Sequence, residues 1–253
     1  MWRDRTTGPR SSNSGARHYR KKQTPDHFIA FQITNREILR EMEQVQKSIV
    51  SKNASLLNAM TSVHKSHITL MVISLTDYHQ KQRAKDALDL CASRLHSEYR
   101  NSPVVLDIAG MGSFGDRVIF AEVHGKDAKK GDVLQHAHDI VQASFEEYGI
   151  YTTDTRSHFT PHLTVAKTFT GPERLEVPMS FYDHFFGSES VTSIQLCSMK
   201  ANEGYYDILH EVQFVSGPKP SSLSSPEKYL SYNDESVKDT EDVESATKGI
   251  ERL

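Results

Sequence analysis

Two strings in this chain, His67-Ile68-Thr69-Leu70 and His162-Leu163-Thr164-Val165, share the order His, apolar, Thr, apolar. On a β-strand successive side chains alternate faces, so each His shares a face with its Thr while the two apolar residues take the other. Given 13 histidines and a 37% hydrophobic chain, about 0.1 such string is expected by chance, and a pair has odds of about 1 in 200. A repeated imidazole-plus-hydroxyl half-site points to one pocket built from two similar lobes. Imidazole titrates near pH 6.5, so of two facing histidines one can take a proton while the other gives one. A threonine hydroxyl can donate to a phosphate oxygen as charge shifts during transfer. His67 and His162 are therefore candidate catalytic residues for metal-free phosphoryl chemistry, and Thr69 and Thr164 candidate phosphate ligands. A lone strand histidine is more often structural; the duplication argues against that here. Two His and two Thr without a nearby carboxylate or thiolate make a poor metal shell, so no metal is expected.

Those strings need strands beneath them, and the rest of the chain offers an α+β framework. Phe28 to Ile33 reads as a strand. Asn35 can cap a helix with the stripe Ile38, Met42, Val45 and Ile49. The first motif strand is expected from about Ser66 to Leu75, followed by a helix capped by Thr76 with Ala84, Ala87, Leu88, Cys91 and Leu95 on one face. Val104 to Ile108 and Val118 to Val123 read as strands joined by a glycine-rich turn. Leu134, Ala137, Ile140, Val141, Phe145 and Tyr148 give the cleanest helical stripe, stopped by Gly149. The second motif strand follows Pro161, a residue suited to a strand's start. A short helix and then a hairpin of Val191 to Met199 with Tyr205 to Val215, around Asn202-Glu203-Gly204, complete the order. Helices do not alternate strictly with strands, so antiparallel sheets are expected.

The run Gly110-Met111-Gly112-Ser113-Phe114-Gly115 matches the dinucleotide pattern G-x-G-x-x-G. That fingerprint acts only where it opens a helix. Here Asp116-Arg117 leads into the strand Val118-Ile119-Phe120, so the glycines serve a hairpin. Phe114 at its tip is a candidate base-stacking residue, with a ring plugging the core as the alternative.

At 253 residues and a net charge of −3 the chain has no general attraction for polyanions. It contains no apolar run of about 18 residues, and Met1-Trp2-Arg3 begins neither a secretory leader nor a myristoylation site. Cys91 and Cys197 are expected as two buried thiols, which fits a reducing compartment. Residues 1–25 hold seven Arg or Lys against one Asp and read as a disordered basic tail, in which Arg17-His18-Tyr19-Arg20-Lys21-Lys22 is a solvated or nuclear-targeting cluster. Residues 26–216 form the expected domain, and 217–253 a disordered Ser-rich and acidic tail.

The paired strings resemble the signature of the two-histidine (2H) phosphoesterases. The likeness extends to the central domain found in A-kinase anchoring proteins of the type that carry such a module. It is carried by Ile33-Thr34-Asn35 with Glu37, Gly112-Ser113-Phe114-Gly115, Tyr148-Gly149-Ile150, Pro161-His162-Leu163-Thr164, Leu196-Cys197-Ser198-Met199 and Gly204-Tyr205-Tyr206. The resemblance implies a bilobal fold, two antiparallel sheets flanked by helices with a central cleft. It implies His67 and His162 as the acid/base pair, Thr69 and Thr164 on the phosphate, and Leu163 and Val165 lining the nucleotide pocket through backbone or apolar contact. Members of this kind bind adenosine or cytidine monophosphate, and some cleave 2',5'-linked oligoadenylates, without metal or cofactor.

The expectation is thus a monomeric, cytoplasmic or nuclear phosphodiesterase with a nucleotide or 2',5'-linked oligonucleotide as ligand and no membrane partner. An AMP or CMP sensor without significant catalysis and a kinase-anchoring scaffold are the alternatives. Anchoring of a kinase regulatory subunit is disfavoured, since the tail offers only Val243, Ala246, Ile250 and Leu253 at helical spacing, interrupted by Gly249. The segment Arg156-Ser157-His158-Phe159-Thr160 is one residue longer than in that family, which leaves a phosphate contact by Arg156 open.

Overall fold

A computed structural model describes residues 24–125, 132–156, 158–168, 172–200 and 202–216. The basic tail, apart from its last two residues, and the tail from 217 onward with its apolar spacing lie outside the described residues.

Eleven elements carry the fold among the described residues: β1 (His27–Gln32), α1 (Arg36–Lys52), β2 (His67–Ile73), α2 (Tyr78–Tyr99), β3 (Val104–Phe114), β4 (Val118–Gly125), α3 (Val133–Glu147), β5 (His162–Lys167), β6 (Phe185–Val191), β7 (Ser193–Ser198) and β8 (Ile208–Gln213). The strands form two antiparallel four-stranded sheets, ordered β2-β1-β7-β8 and β5-β4-β3-β6. Each motif strand, β2 or β5, stands at one end of its sheet and reaches its neighbour through a helical connection. The units β1-α1-β2 and β4-α3-β5 are thus the repeat that the two strings announced. The helices are exchanged, since α1 packs on β5 and β6 of the other sheet while α3 packs on β2. One continuous apolar core results, running from Ile29 and Phe31 through Ile38, Met42 and Leu88 to Phe145 and Phe186.

Local chemistry sets the element ends. Asn35 caps α1, its side chain accepting from the Glu37 N–H at 2.9 Å, and the stripe Ile38, Met42, Val45 and Ile49 is buried. The helix α3 ends at Tyr148, with Gly149 at φ +69° and the Ile150 N–H donating to the Phe145 carbonyl at 3.0 Å. That is a left-handed glycine stop satisfying an orphan carbonyl. Cys91 and Cys197 are buried free thiols, and burial pushes both up to about 12.

Several expectations need correction. The cap of α2 is Asp77, which accepts from the Gln80 N–H at 2.8 Å, while Thr76 bonds the Gln80 side chain instead. The strand β3 does not stop at Ile108 but continues through the glycines to Phe114, with a register shift between Ile108 and Met111. The first motif strand is shorter than expected at both ends, and short 3-10 helices at Ala54–Ala59 and Val63–Lys65 fill the approach to it. Val191 ends β6, a strand absent from the expected order, rather than opening the last hairpin. The reason is Glu189, a buried carboxylate that reads as a loop residue. It accepts from the Thr34 N–H (2.8 Å), the Thr34 hydroxyl (3.1 Å) and the Asn35 N–H (2.8 Å), and so ties β6 to the start of α1. The expected short helix is the 3-10 turn Met179–Phe181. No helix among the described residues is long and apolar enough to cross a membrane.

Candidate functional site

In both motifs the strand alternation holds. Ile68, Leu70, Leu163 and Val165 are buried, whereas His67, Thr69, His162 and Thr164 are half-buried on the opposite face. The two histidines are held alike. The Nδ1 of His67 lies 2.7 Å from the Lys65 carbonyl, and that of His162 lies 2.8 Å from the Thr160 carbonyl, each two residues upstream. A carbonyl only accepts, so Nδ1 carries the proton in both rings and Nε2 keeps the lone pair in the neutral form. Each ring also sits between two others. His67 packs on Phe28 (4.7 Å) and edge-on to Tyr206 (5.2 Å), and His162 edge-on to Phe114 (5.0 Å) and Phe120 (5.5 Å).

Those surroundings act on proton affinity. Burial pushes the His67 pKa below the ordinary imidazole value; the bond to Lys65 opposes this, and charge on His162 adds to it. The His162 pKa is also lowered, chiefly by burial, against the bond to Thr160 and with help from Arg156 and Lys167. Both imidazoles therefore stay neutral more readily than free histidine.

A cleft of about 460 Å³ takes Thr69 from one motif and His162 from the other, together with His138, Thr152, Arg156 and Phe159, while His67 and Thr164 are not among the residues that line it. This volume suits a small ligand. His138 Nδ1 donates to the Leu70 carbonyl (2.8 Å), and its ring stacks flat on Phe159, 4.3 Å between ring centres, so α3 and the segment before β5 are pinned to β2. Arg156 lines this cleft, but Asp154 binds its Nε at 2.9 Å and its Nη2 at 2.6 Å. The pair holds the Asp154 carboxyl below its usual range and the guanidinium above its own. Asp154 leaves the Nη1 side of the guanidinium for a phosphate.

Two expectations change. Leu163 and Val165 do not line a pocket with their side chains, which are 1% and 0% exposed in the core. The Val165 carbonyl is also taken, by the Thr61 N–H (3.1 Å) and Gln46 Nε2 (2.9 Å). Phe114 is neither an exposed tip nor a core plug; half-buried at the end of β3, it packs 4.4 Å from Phe120 beside His162. The sequence reading missed His138, Phe159, Phe120 and Tyr206. The alternation within Val118 to Val123 puts Phe120 on the face of Glu122, and Glu122 pairs with His162, but that register needed the fold. Among the described residues no group of three or more His, Cys, Asp and Glu is placed to hold a metal ion.

With this geometry in place, the likeness to known proteins is specific. Residues 25–214 match the family model for the AKAP7 2'5' RNA ligase-like domain. Human A-kinase anchor protein 7 isoform gamma is 30% identical over 215 residues, covering 79% of this chain and 60% of that protein. The chain thus spans about 60% of the length of that curated relative. The fold matches the crystal structure of Escherichia coli LigT complexed with 3'-AMP at a TM-score of 0.51 and 17% identity, over 76% of this chain and 98% of that one. It also matches the crystal structure of TT0787 from Thermus thermophilus at 0.52 and 18% identity, over 75% and 97%. The family model covers most of the chain and the fold follows that of LigT: the chain belongs to the AKAP7 2'5' RNA ligase-like domain family, with the fold of the 2H phosphoesterases.

Proposed function

We propose that this domain binds a nucleotide phosphate between the two motifs and cleaves RNA-like phosphodiesters without a metal ion, 2',5'-linked oligoadenylate being the substrate. The observation that carries this reading is the matched tethering of His67 and His162 by the Lys65 and Thr160 carbonyls, which reserves both Nε2 atoms for chemistry. In a 2',5' linkage the free 3' hydroxyl is the nucleophile. A neutral imidazole takes its proton as the oxygen attacks phosphorus, and the second, protonated imidazole gives one to the leaving 5' oxygen. A 2',3'-cyclic phosphate and a 5' hydroxyl result, and the pair ends with its protons exchanged. The Thr69 and Thr164 hydroxyls donate to the non-bridging oxygens. The "2'5' RNA ligase-like" character of the family and the 3'-AMP complexed with LigT support a nucleotide ligand.

The lowered proton affinity of both histidines gives a second reading some support, a nucleotide-binding module in which neither ring serves as an acid. Against it, an anionic phosphodiester beside the pair raises imidazole proton affinity, so the acid forms on binding. The deciding experiment incubates the full chain with 2',5'- and 3',5'-linked oligoadenylates, with and without EDTA. Chelator-insensitive cleavage of the 2',5' linkage is expected. Binding of AMP with no turnover on either linkage overturns the enzyme reading in favour of the binding module.

A further inference from the structure

Gly110 and Gly115 take positive φ, which suits a bulge and a hairpin turn, but Gly112 between them does not, so its lack of a side chain needs another reason. Gly112 lies opposite Phe120 in the β3–β4 register. A Cβ built on Gly112 would stand 2.7 Å from Phe120 Cζ and 2.8 Å from Cε2. Carbon atoms do not approach so closely, so the Phe120 ring fills the space in which any other residue here would carry its side chain. An aromatic ring laid over a glycine on the neighbouring strand is a recognised device in sheets. Phe120 is only 7% exposed and has little room to retreat. Phe114 lies 4.4 Å away, His162 lies 5.5 Å away, and Thr164 faces Phe120 from β5.

We propose that Gly112 is a positioning residue for His162: its missing side chain lets Phe120 lie across β3, where Phe120 and Phe114 fix the plane of the His162 ring. The Thr160 carbonyl holds one nitrogen of that ring, but one hydrogen bond tolerates a range of χ1 and χ2 angles; the two edge-on phenyl rings narrow that range. The first half-site has a different solution. The rings against His67 come from β1 (Phe28) and from Tyr206, which lies outside any strand, so no glycine is needed there. The two lobes repeat the histidine and its carbonyl tether but not the source of its flanking rings.

This inference rests on the catalytic role proposed for His162, yet its test reads the ring itself. The His162 imidazole is titrated by NMR in the full chain as wild type, Gly112→Ala, Phe120→Leu and the double variant, with Ser113→Ala, an exposed position on the same strand, as control. Arg156, Lys167, His67 and Glu122, the charged or titratable groups around this site, are unchanged throughout. Each single substitution is expected to move the His162 midpoint upward as water enters the cage, and to lower the cleavage rate by about 10- to 10²-fold. KM should change little, and Ser113→Ala should match wild type. The double variant should equal Phe120→Leu alone, because a glycine acting through Phe120 has nothing to act on once that ring is gone. Additive effects, or a His162 midpoint unmoved in both single variants, overturn the proposal. If Gly112→Ala does not fold, Phe120→Leu decides: an unshifted midpoint overturns it, a shifted one sustains it. Absence of turnover in wild type would remove the enzyme reading while leaving the titration informative about the ring.

Discussion

An imidazole whose Nδ1 is committed to a backbone carbonyl has one nitrogen left for chemistry, and this chain makes that commitment twice. If both Nε2 atoms act in one proton exchange, His67→Ala and His162→Ala should each lower cleavage by about 10²–10⁴. The double substitution should cost little more, since residues acting as a unit are not additive. AMP affinity, measured by calorimetry, should fall far less, and an equal loss of affinity and rate would argue against acid/base roles. A pH dependence follows as well. Both free-protein values are shifted downward, so the profile of kcat/KM should peak below about pH 6.5 and fall above it as the last imidazolium is lost. The profile of kcat should extend to higher pH, because bound phosphate raises the proton affinity of the pair. At this scale the sequence was readable where residue type alone decides. The His and Thr positions could be read because alternation places them. The Lys65 and Thr160 carbonyls could not, because every residue has a carbonyl and only the chain's path selects one. The side chains of Leu163 and Val165 lie in the core, where the same alternation already placed them, so of the two kinds of contact the resemblance implies only the backbone kind remains.

Elements are defined by their ends as much as by their stripes. The stripes of α1 and α3, and their stops at Asn35 and Gly149, were legible because capping is local chemistry. The strand β6 was not, because its sequence, Phe185-Phe186-Gly187-Ser188-Glu189-Ser190-Val191, buries a carboxylate whose partners lie about 150 residues earlier. Three donors from Thr34 and Asn35 converge on Glu189, so the string Ile33-Thr34-Asn35 joins the start of α1 to the second sheet. Replacing Glu189 with Gln removes the charge and turns one acceptor into a donor, so the Thr34 hydroxyl must turn to accept. A loss of about 1–3 kcal/mol in stability is expected, read by urea unfolding, with the fold retained. A change below about 0.5 kcal/mol, well under that range, would mean that solvent replaces this carboxylate freely.

Exchange of helices between the sheets decides how the whole molecule behaves. Because α1 packs on β5 and β6, and α3 packs on β2 as well as on its own β4, each sheet is covered in part by the helix of the other repeat. Most residues buried by the two repeats share one cluster, and only Phe28 and Ala30 of β1 belong to a small second one with Cys197. The sequence announced the repeat but not the exchange, since each stripe specifies a buried face and not the sheet that buries it. Two lobes with separate cores would melt independently, and the motif strands could part without unfolding. A shared core predicts the opposite: one calorimetric transition, with calorimetric and van't Hoff enthalpies equal, for residues 24–216. A saturating nucleotide should raise that single transition as a whole, by about 2.7 kcal/mol at 100 times its Kd. Amide exchange should then slow in β2 and β5 together, because the proposed site draws on both strands. Two resolved transitions, or protection confined to one motif strand, would mean that the lobes are energetically separate and that a phosphate is held by one half-site alone.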